Sequence, residues 1–454
     1  MTTKALAAAL LRDATRELHD DPATAQALRD CTIRLDRPLR VALTGTLKSG
    51  KSTLLNALVG AEVAASDTTE CTQDVAWYRA DATSAARVRW TLVDTPGTAS
   101  NSVEISVLTR EFLAPDAGGC PVDVVVHLMR SLHETDLDLL RLVHARAGAG
   151  RPLGVVGVLS RADEAAEPGT APLAAARRTA VQLRADLRPA GLVTDVVATS
   201  GLLALRGRTS PDADLDLVVA LAGLPDAVRD AALVSPERLR AAPDPVPPGA
   251  ARLLDTFGMV GLRVAVDVIR RDPLDGRAPA TALVAASGVD RLRRLVDARF
   301  AGRHAELTAR AVLLDLAALL RAQGRGTGPT ARRVATQLAD THVLTELRAI
   351  GRIAGLDLPE PAREGLLRTL GGLGTAAHVR LGLTRDATAE QLRDAALDGL
   401  RHWRRRVDDP LLDPAARAVL RAAARSCEAV LAGADDPAAP RPHRVTGREI
   451  AAMA

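Results

Sequence analysis

Large aromatic side chains are almost missing from this chain, which has three Trp, three Phe and one Tyr in 454 residues. A core without rings must be filled by Ala, Leu and Val, a composition that favours closely packed helices. Lysine is as scarce: Lys4, Lys48 and Lys51 are the only three among 59 basic residues. The four cysteines, Cys31, Cys71, Cys120 and Cys427, include no C-x-x-C pair. That spacing offers neither a disulfide framework nor a zinc site and suits a reduced, intracellular chain. The histidines show no metal-ligand spacing either. No window approaches the roughly 18 uncharged apolar residues of a membrane span, which excludes an integral helical membrane protein. The apolar run Ala5 to Leu11 stops at Arg12 and Asp13, too soon for a signal peptide, and reads as a surface helix. Charge is not one-sided, since 59 basic residues face 55 acidic ones and leave a formal +4. So mild an excess suits an anionic partner without identifying it.

What is present is a chain long enough for two or three packed units. Residues 1–36 read as N-terminal helices with Leu10, Leu11, Leu18 and Leu28 among charges, packing on a later bundle. Residues 37–285 alternate strands (39–44, 74–79, 88–93, 122–128, 153–159, 193–198) with helical patterns such as 132–146 and 173–187. Strands separated by helices of that length predict an α/β domain, a mostly parallel sheet covered on both faces. The strands at Val75 and Val88 form a hairpin that adds an antiparallel edge. Ser235 to Gly249, rich in proline, reads as a loop or linker. Residues 286–454 are helical in period, an α-helical bundle or stalk whose longest run is Val289 to Ala322.

The informative motif is Gly45-Thr46-Leu47-Lys48-Ser49-Gly50-Lys51-Ser52, between a buried strand and a helix that begins near Thr53. Glycines let successive backbone N–H groups turn toward phosphates, and the helix N-terminus adds positive potential. Lys51 would bridge the terminal phosphates, and Ser52 would ligate Mg2+. Two of the three lysines fall inside this motif, where a compact ammonium serves and a broad guanidinium does not. Asp94-Thr95-Pro96-Gly97 follows the next strand. It supplies a carboxylate that reaches Mg2+ through water and a Gly97 N–H for the γ-phosphate. Ser160-Arg161-Ala162-Asp163 follows a later strand; Asp163 would accept from N1 and N2 of guanine, and Arg161 would lie over the base. Ser200, after the last strand, would offer its N–H to guanine O6. The segment Asp67 to Thr72 must hold the threonine that completes the magnesium shell, with Thr68, Thr69 and Thr72 as candidates.

The runs GTLKSGKSTLLNALVG, ECT before VAWYR, DTPG and LSRAD resemble the dynamin superfamily, and within it the actinobacterial dynamin-like proteins of the isoniazid-inducible type. The likeness is densest over residues 38–165 and continues loosely through FGMVGLR, SGVDRLRRLVDARF and RLGL. It implies a GTPase head on a helical stalk, GTP and GDP as ligands, self-assembly through the heads or with a related partner, and membrane association. It implies a cytoplasmic protein, peripheral at the inner face of the cell membrane, and makes Thr72 the switch threonine. Departures are the Ser-Arg in place of Thr-Lys before Asp163 and the lack of a pleckstrin-type domain or transmembrane hairpin.

Small regulatory GTPases place a Gln after DxxG to orient water; here that residue is Thr98. Dynamins instead recruit a monovalent cation through a P-loop serine, and guanylate-binding proteins place an arginine at that position. The matching residue is Lys48, expected to supply the catalytic positive charge; fingers of this kind are worth roughly 10³ to 10⁵ in rate. The competing reading makes Lys48 a solvated loop residue. The segment Gly365 to Leu383, free of acids between Arg368 and Arg380, is either a membrane-touching loop or a glycine-rich turn of the bundle. The arginine run from His402 to Arg406 reads as a solvated helix face. A nucleic-acid or ribosome-associated GTPase and a non-hydrolysing nucleotide-gated scaffold are the rival readings; the balanced charge of the helical half speaks against nucleic acid.

Overall fold

The computed structural model describes residues 3–18, 21–46, 48–63, 76–80, 90–95, 111–113, 122–145, 154–167, 170–187, 192–271, 278–339, 342–410 and 412–434. Among them six strands make one sheet: β1 (Leu39–Gly45), β2 (Ala76–Ala80), β3 (Trp90–Asp94), β4 (Val124–Met129), β5 (Gly154–Leu159) and β6 (Asp195–Ala198). Their spatial order is β2-β3-β1-β4-β5-β6. Every neighbouring pair is parallel except β2 with β3, the expected antiparallel edge. β4 is buried at every position, as a central strand covered on both faces must be.

Alternation along β1 and β4 divides two cores. Ala42 and Val125 turn to one face, packed with Leu140, Leu183 and Leu262 from the helices Glu134–Ala145, Pro172–Leu187 and Leu253–Arg271. Val41, Leu43, Val124 and Val126 turn to the other, where Leu55 and Leu58 of the helix Lys51–Val59 meet Val289, Leu292 and Val296. The second core places the helix Val289–Arg299 on the sheet itself. Phe300, fully buried, ends that helix, and its ring lies where a Cβ on Gly154 would come within 3.0 Å. The expected single long helix is therefore broken: Ala301–Arg303 is a 3₁₀ turn, and His304–Ala322 starts afresh.

A third core joins Leu10, Leu11 and Leu28 of the N-terminal helices to Val312, Leu316 and Val334. It lies in the same compact unit as the sheet, residues 1–339, and residues 340–454 make up the second unit. The proline-rich stretch is no linker: Leu239 and Val246 are buried in the first core, and Pro236–Arg240 is a short helix capped by the Ser235 hydroxyl. The second unit packs Ile350, Leu366, Leu370, Trp403 and Leu420 into a core of its own. Within it the glycine-rich segment is the end of the helix Glu360–Thr369, a turn and the helix Ala377–Leu381. Arg380 there donates to both carboxylate oxygens of the buried Glu346. No helix among the described residues is long and apolar enough to cross a membrane.

Candidate functional site

The site is built at the carboxyl ends of the parallel strands, where chain connections diverge to both sides of β1. β1 runs into the phosphate-loop motif, and its last residue is a glycine by necessity. Gly45 has φ 146°, and a Cβ on it would stand 2.3 Å from the Leu128 carbonyl oxygen of β4. Gly50, with φ 90°, forms the N-cap of the helix Lys51–Val59. No cap side chain occupies that N-terminus, so its first amides are left for a ligand. The other end of the helix is held by two arginines, Arg208 donating to the Ala57 carbonyl and Arg293 to Leu58 at 2.5 Å. Cations at the C-terminal carbonyls complement the helix dipole and fix the axis on which the loop sits.

Lys51 is buried, and its Nζ donates to the Gly45 and Thr46 carbonyls, each at 3.2 Å. Its ammonium is thus inside the loop. The Ser49 hydroxyl is fully buried and meets no hydrogen-bond partner among the described residues. Lys48 differs from Lys51 in every respect: it is exposed, has φ 60° and makes no ion pair or hydrogen bond among the described residues. A left-handed conformation at a long, non-glycine residue is uncommon and costs roughly 1–3 kcal/mol, so the surrounding loop must impose it.

Behind the loop lies a buried polar chain that the sequence reading missed. Thr44, the residue before Gly45, bonds His127 Nδ1 at 2.9 Å, and His127 Nε2 meets Asp136 Oδ1 at 2.8 Å. Asp136 in turn accepts the His133 N–H at 3.0 Å. All three side chains are at most 2% exposed, so water cannot replace a lost partner. The chain ties β1 to β4 and to the helix Glu134–Ala145 just below the phosphate loop. A lone His inside a Val-rich strand, VVVHLM, with an Asp nine residues on, was its only trace in sequence.

Asp94 ends β3 beside Leu43 in register and is 2% exposed. Thr95 locks that strand end to β1, its N–H and hydroxyl both donating to the Leu43 carbonyl. Ser52, half-buried, is the second residue of the loop helix. One hydroxyl and one carboxylate are hard oxygen donors, and few protein ligands is what Mg2+ takes when phosphates and water complete its shell. The residues present fit that ion. Thr68, Thr69, Thr72, Gly97 and Thr98 lie outside the described residues.

The other wall is set by the turn after β5. Ser160 donates its N–H and its hydroxyl to the Met129 carbonyl at 2.9 and 3.2 Å. Arg161 then adopts a left-handed conformation (φ 51°) that starts the 3₁₀ turn Ala162–Glu164 and turns Asp163 inward, 5% exposed. Burial pushes the Asp163 carboxyl above its ordinary value, and the hydrogen bond from the Ser200 hydroxyl pulls it back down. The Arg161 guanidinium is held by Glu164 at 2.6 Å, and Glu164 also takes Arg130 at 2.8 Å. Arg161 Cγ stands 3.9 Å from where a Gly50 Cβ would be, so the two motifs meet. A cavity of about 170 Å3 lies between them, lined by Gly50, Thr53, Arg161, Asp163, Thr199 and Gly201 among others.

Ser200 is present but not as expected. Its N–H is already donated to the Ser287 carbonyl at 2.8 Å, and its hydroxyl also caps the helix Gly201–Thr209 by accepting from Leu203. The residue after it, Gly201, lines the cavity and opens that helix, where an amide has no intrahelical acceptor. Ser287 and Gly288 brace this turn from below. Gly288 has φ 81°, and a Cβ there would stand 2.2 Å from the Ala198 carbonyl. The Ser-Gly pair ahead of a helix was visible in sequence, but its contact with β6 spans about ninety residues and was not.

A mostly parallel sheet whose β1 runs into a G-x-x-x-x-G-K-S loop and helix, with the buried Asp163 turn beside it, is the architecture of a P-loop GTPase domain, and the chain is a GTP-binding protein of that class. The family model described as 50S ribosome-binding GTPase matches residues 40–157. The isoniazid-induced protein IniC of Mycobacterium tuberculosis, strains CDC 1551 / Oshkosh and H37Rv, is 34% identical over 449 residues, covering 88% of this chain and 91% of IniC. The chain belongs to that family, the dynamin-like actinobacterial proteins of the isoniazid-inducible type. Among solved structures, Toc33 from Arabidopsis thaliana is similar at 17% identity and a TM-score of 0.28, covering 40% of this chain and 79% of that one. Era from Aquifex aeolicus is similar at 17% identity and a TM-score of 0.28, over 43% and 71%.

Proposed function

We propose that the chain binds GTP in this site and hydrolyses it, and that the cycle drives self-association of its nucleotide domains at a membrane surface. One observation carries the nucleotide assignment: the phosphate loop and the Asp163 turn converge on one cavity, with Arg161 against Gly50. In this reading the loop amides and Lys51 hold the phosphates, and Lys51 exchanges its two loop carbonyls for phosphate oxygens. The Ser49 hydroxyl finds its partner on the ligand. Asp163 accepts from N1 and N2 of guanine, and Gly201 rather than Ser200 offers an N–H to O6. Thr53 flanks the phosphate nearest the sugar.

Ser52 and, through water, Asp94 are the residues that would hold Mg2+, with Thr72 proposed as the third. The metal neutralises charge on the phosphate oxygens when bound. Positive charge toward the γ-phosphate is assigned to Lys48, exposed and without a counter-ion on the same loop. Ser160 and Arg161 position the base-side turn.

Turnover measured against protein concentration tests the functional half. Specific activity that rises several-fold from nanomolar to micromolar protein indicates dimerising heads. A flat dependence indicates a monomeric switch and removes self-assembly from the proposal, and no turnover at any concentration reduces the protein to a nucleotide-gated scaffold. The ribosome-binding description belongs to the family whose model matches residues 40–157, and the described residues beyond 339 form helices and their connections, with no strand among them.

A further inference from the structure

The second compact unit holds a cavity of about 740 Å3 between the helices Glu360–Thr369, Ala377–Leu381 and Ala389–Val407. Its lining is strongly one-signed: five arginines face it and a single carboxylate, Asp398, which is already paired with Arg401 at 3.2 Å. Arg380 is neutralised by the buried Glu346 behind it. The guanidiniums of Arg368, Arg405 and Arg406 have no ion pair or hydrogen bond among the described residues. Arg405 and Arg406 belong to the run expected to be a solvated helix face; Arg405 is exposed and Arg406 half-buried, and both also border this recess. Three guanidiniums without a counter-ion around one recess give it a positive potential that favours an anion. The field is felt locally: His402 is held below the usual histidine range, first by burial and then by Arg406 and Arg405.

Apart from His402 and Thr369, the rest of the wall is apolar. Trp403 is 4% exposed, and Gly365 lies against its ring, where a Cβ would come within 3.4 Å. The recess is open to solvent, and its volume has room for a small organic ligand rather than a bare inorganic anion alone. Guanidinium matches phosphate oxygens in pairs, which makes arginine the side chain of choice for that group.

We infer that this cavity is a binding site for an organic phosphate, with the phosphate held by Arg368, Arg405 and Arg406 and its ester group against the Trp403 wall. The inference concerns the second unit alone and stands whether or not the nucleotide site acts as proposed. Such a phosphate can come from a free metabolite or from the headgroup of a lipid. Calorimetric titration of the full chain with glycerol 3-phosphate tests the first source. Co-sedimentation with phosphatidylcholine vesicles, with and without phosphatidic acid, tests the second.

The arginine-to-glutamine pair R405Q and R406Q should weaken the responding probe at least tenfold, and R368Q, on a different helix, should do the same. R363Q, whose guanidinium pairs with Glu360 outside the cavity, should leave it unchanged. A phosphate bound at the nucleotide loop would not respond to these changes, and unaltered thermal melts show that each variant is folded. Response to glycerol 3-phosphate supports the site and makes its ligand soluble; response only to phosphatidic acid supports it and makes the ligand a lipid. Binding of neither probe, or binding indifferent to R405Q/R406Q and R368Q, overturns the inference.

Discussion

Lys48→Ala is expected to lower GTP turnover by roughly 10²–10³-fold while GTP affinity changes less than about tenfold. The reasoning starts from the loop. Lys51 is buried with its ammonium on the Gly45 and Thr46 carbonyls, already placed for ground-state binding. Lys48 is exposed on the same loop in a left-handed conformation, with no counter-ion among the described residues. Charge that is needed only as phosphate oxygens develop charge acts on the rate and hardly on the affinity. Steady-state kinetics beside equilibrium titration of a non-hydrolysed GTP analogue separate the two quantities. Equal losses in affinity and turnover would make Lys48 a binding residue. Full control of wild-type turnover by potassium would give its role to a cation.

Asp163→Asn should cost GTP affinity about 10²-fold or more and should transfer preference to xanthosine triphosphate. An ionised Asp accepts two hydrogen bonds from guanine, and bonds to a charged group are worth roughly 1.5–3 kcal/mol each. Asn keeps one acceptor but presents an amide N–H where the guanine amine donates, so two donors face each other. Xanthine carries a carbonyl at that place and restores the pair. Burial makes the substitution severe, because water does not reach a 5% exposed side chain to repair the mismatch. Competition of both triphosphates for one site reads the result directly; an unchanged preference would remove Asp163 from base recognition.

The sheet was legible because its signals are local. Strand residues such as Val124, Val125 and Val126 form unbroken apolar runs, and the phosphate loop carries its chemistry in consecutive positions. The glycine spacing put the start of the loop helix near Thr53, two residues beyond the observed Lys51. What depended on contact between distant segments was not legible. Residues 289–300 have a helical period that fits any bundle, and only packing shows Val289, Leu292 and Phe300 on the sheet. Ser200 followed the last strand as expected, yet its amide meets Ser287 from a segment far along the chain. The Thr44–His127–Asp136 chain joins three elements, and no one of them announces it. The run from His402 to Arg406 is largely solvated as expected, but a sequence pattern has no means of showing that the helix Glu360–Thr369 borders the same recess.

The most direct test of guanine recognition is equilibrium binding of GTP and of ATP to the wild-type chain, in magnesium, by calorimetry. A site that accepts from guanine N1 and N2 through a buried carboxylate rejects a base lacking those donors by a large factor. The expected result is GTP bound at least about a hundredfold more tightly than ATP. Equal affinities, or a preference for ATP, would contradict the assignment of Asp163 and with it the reading of the cavity between Gly50 and Arg161.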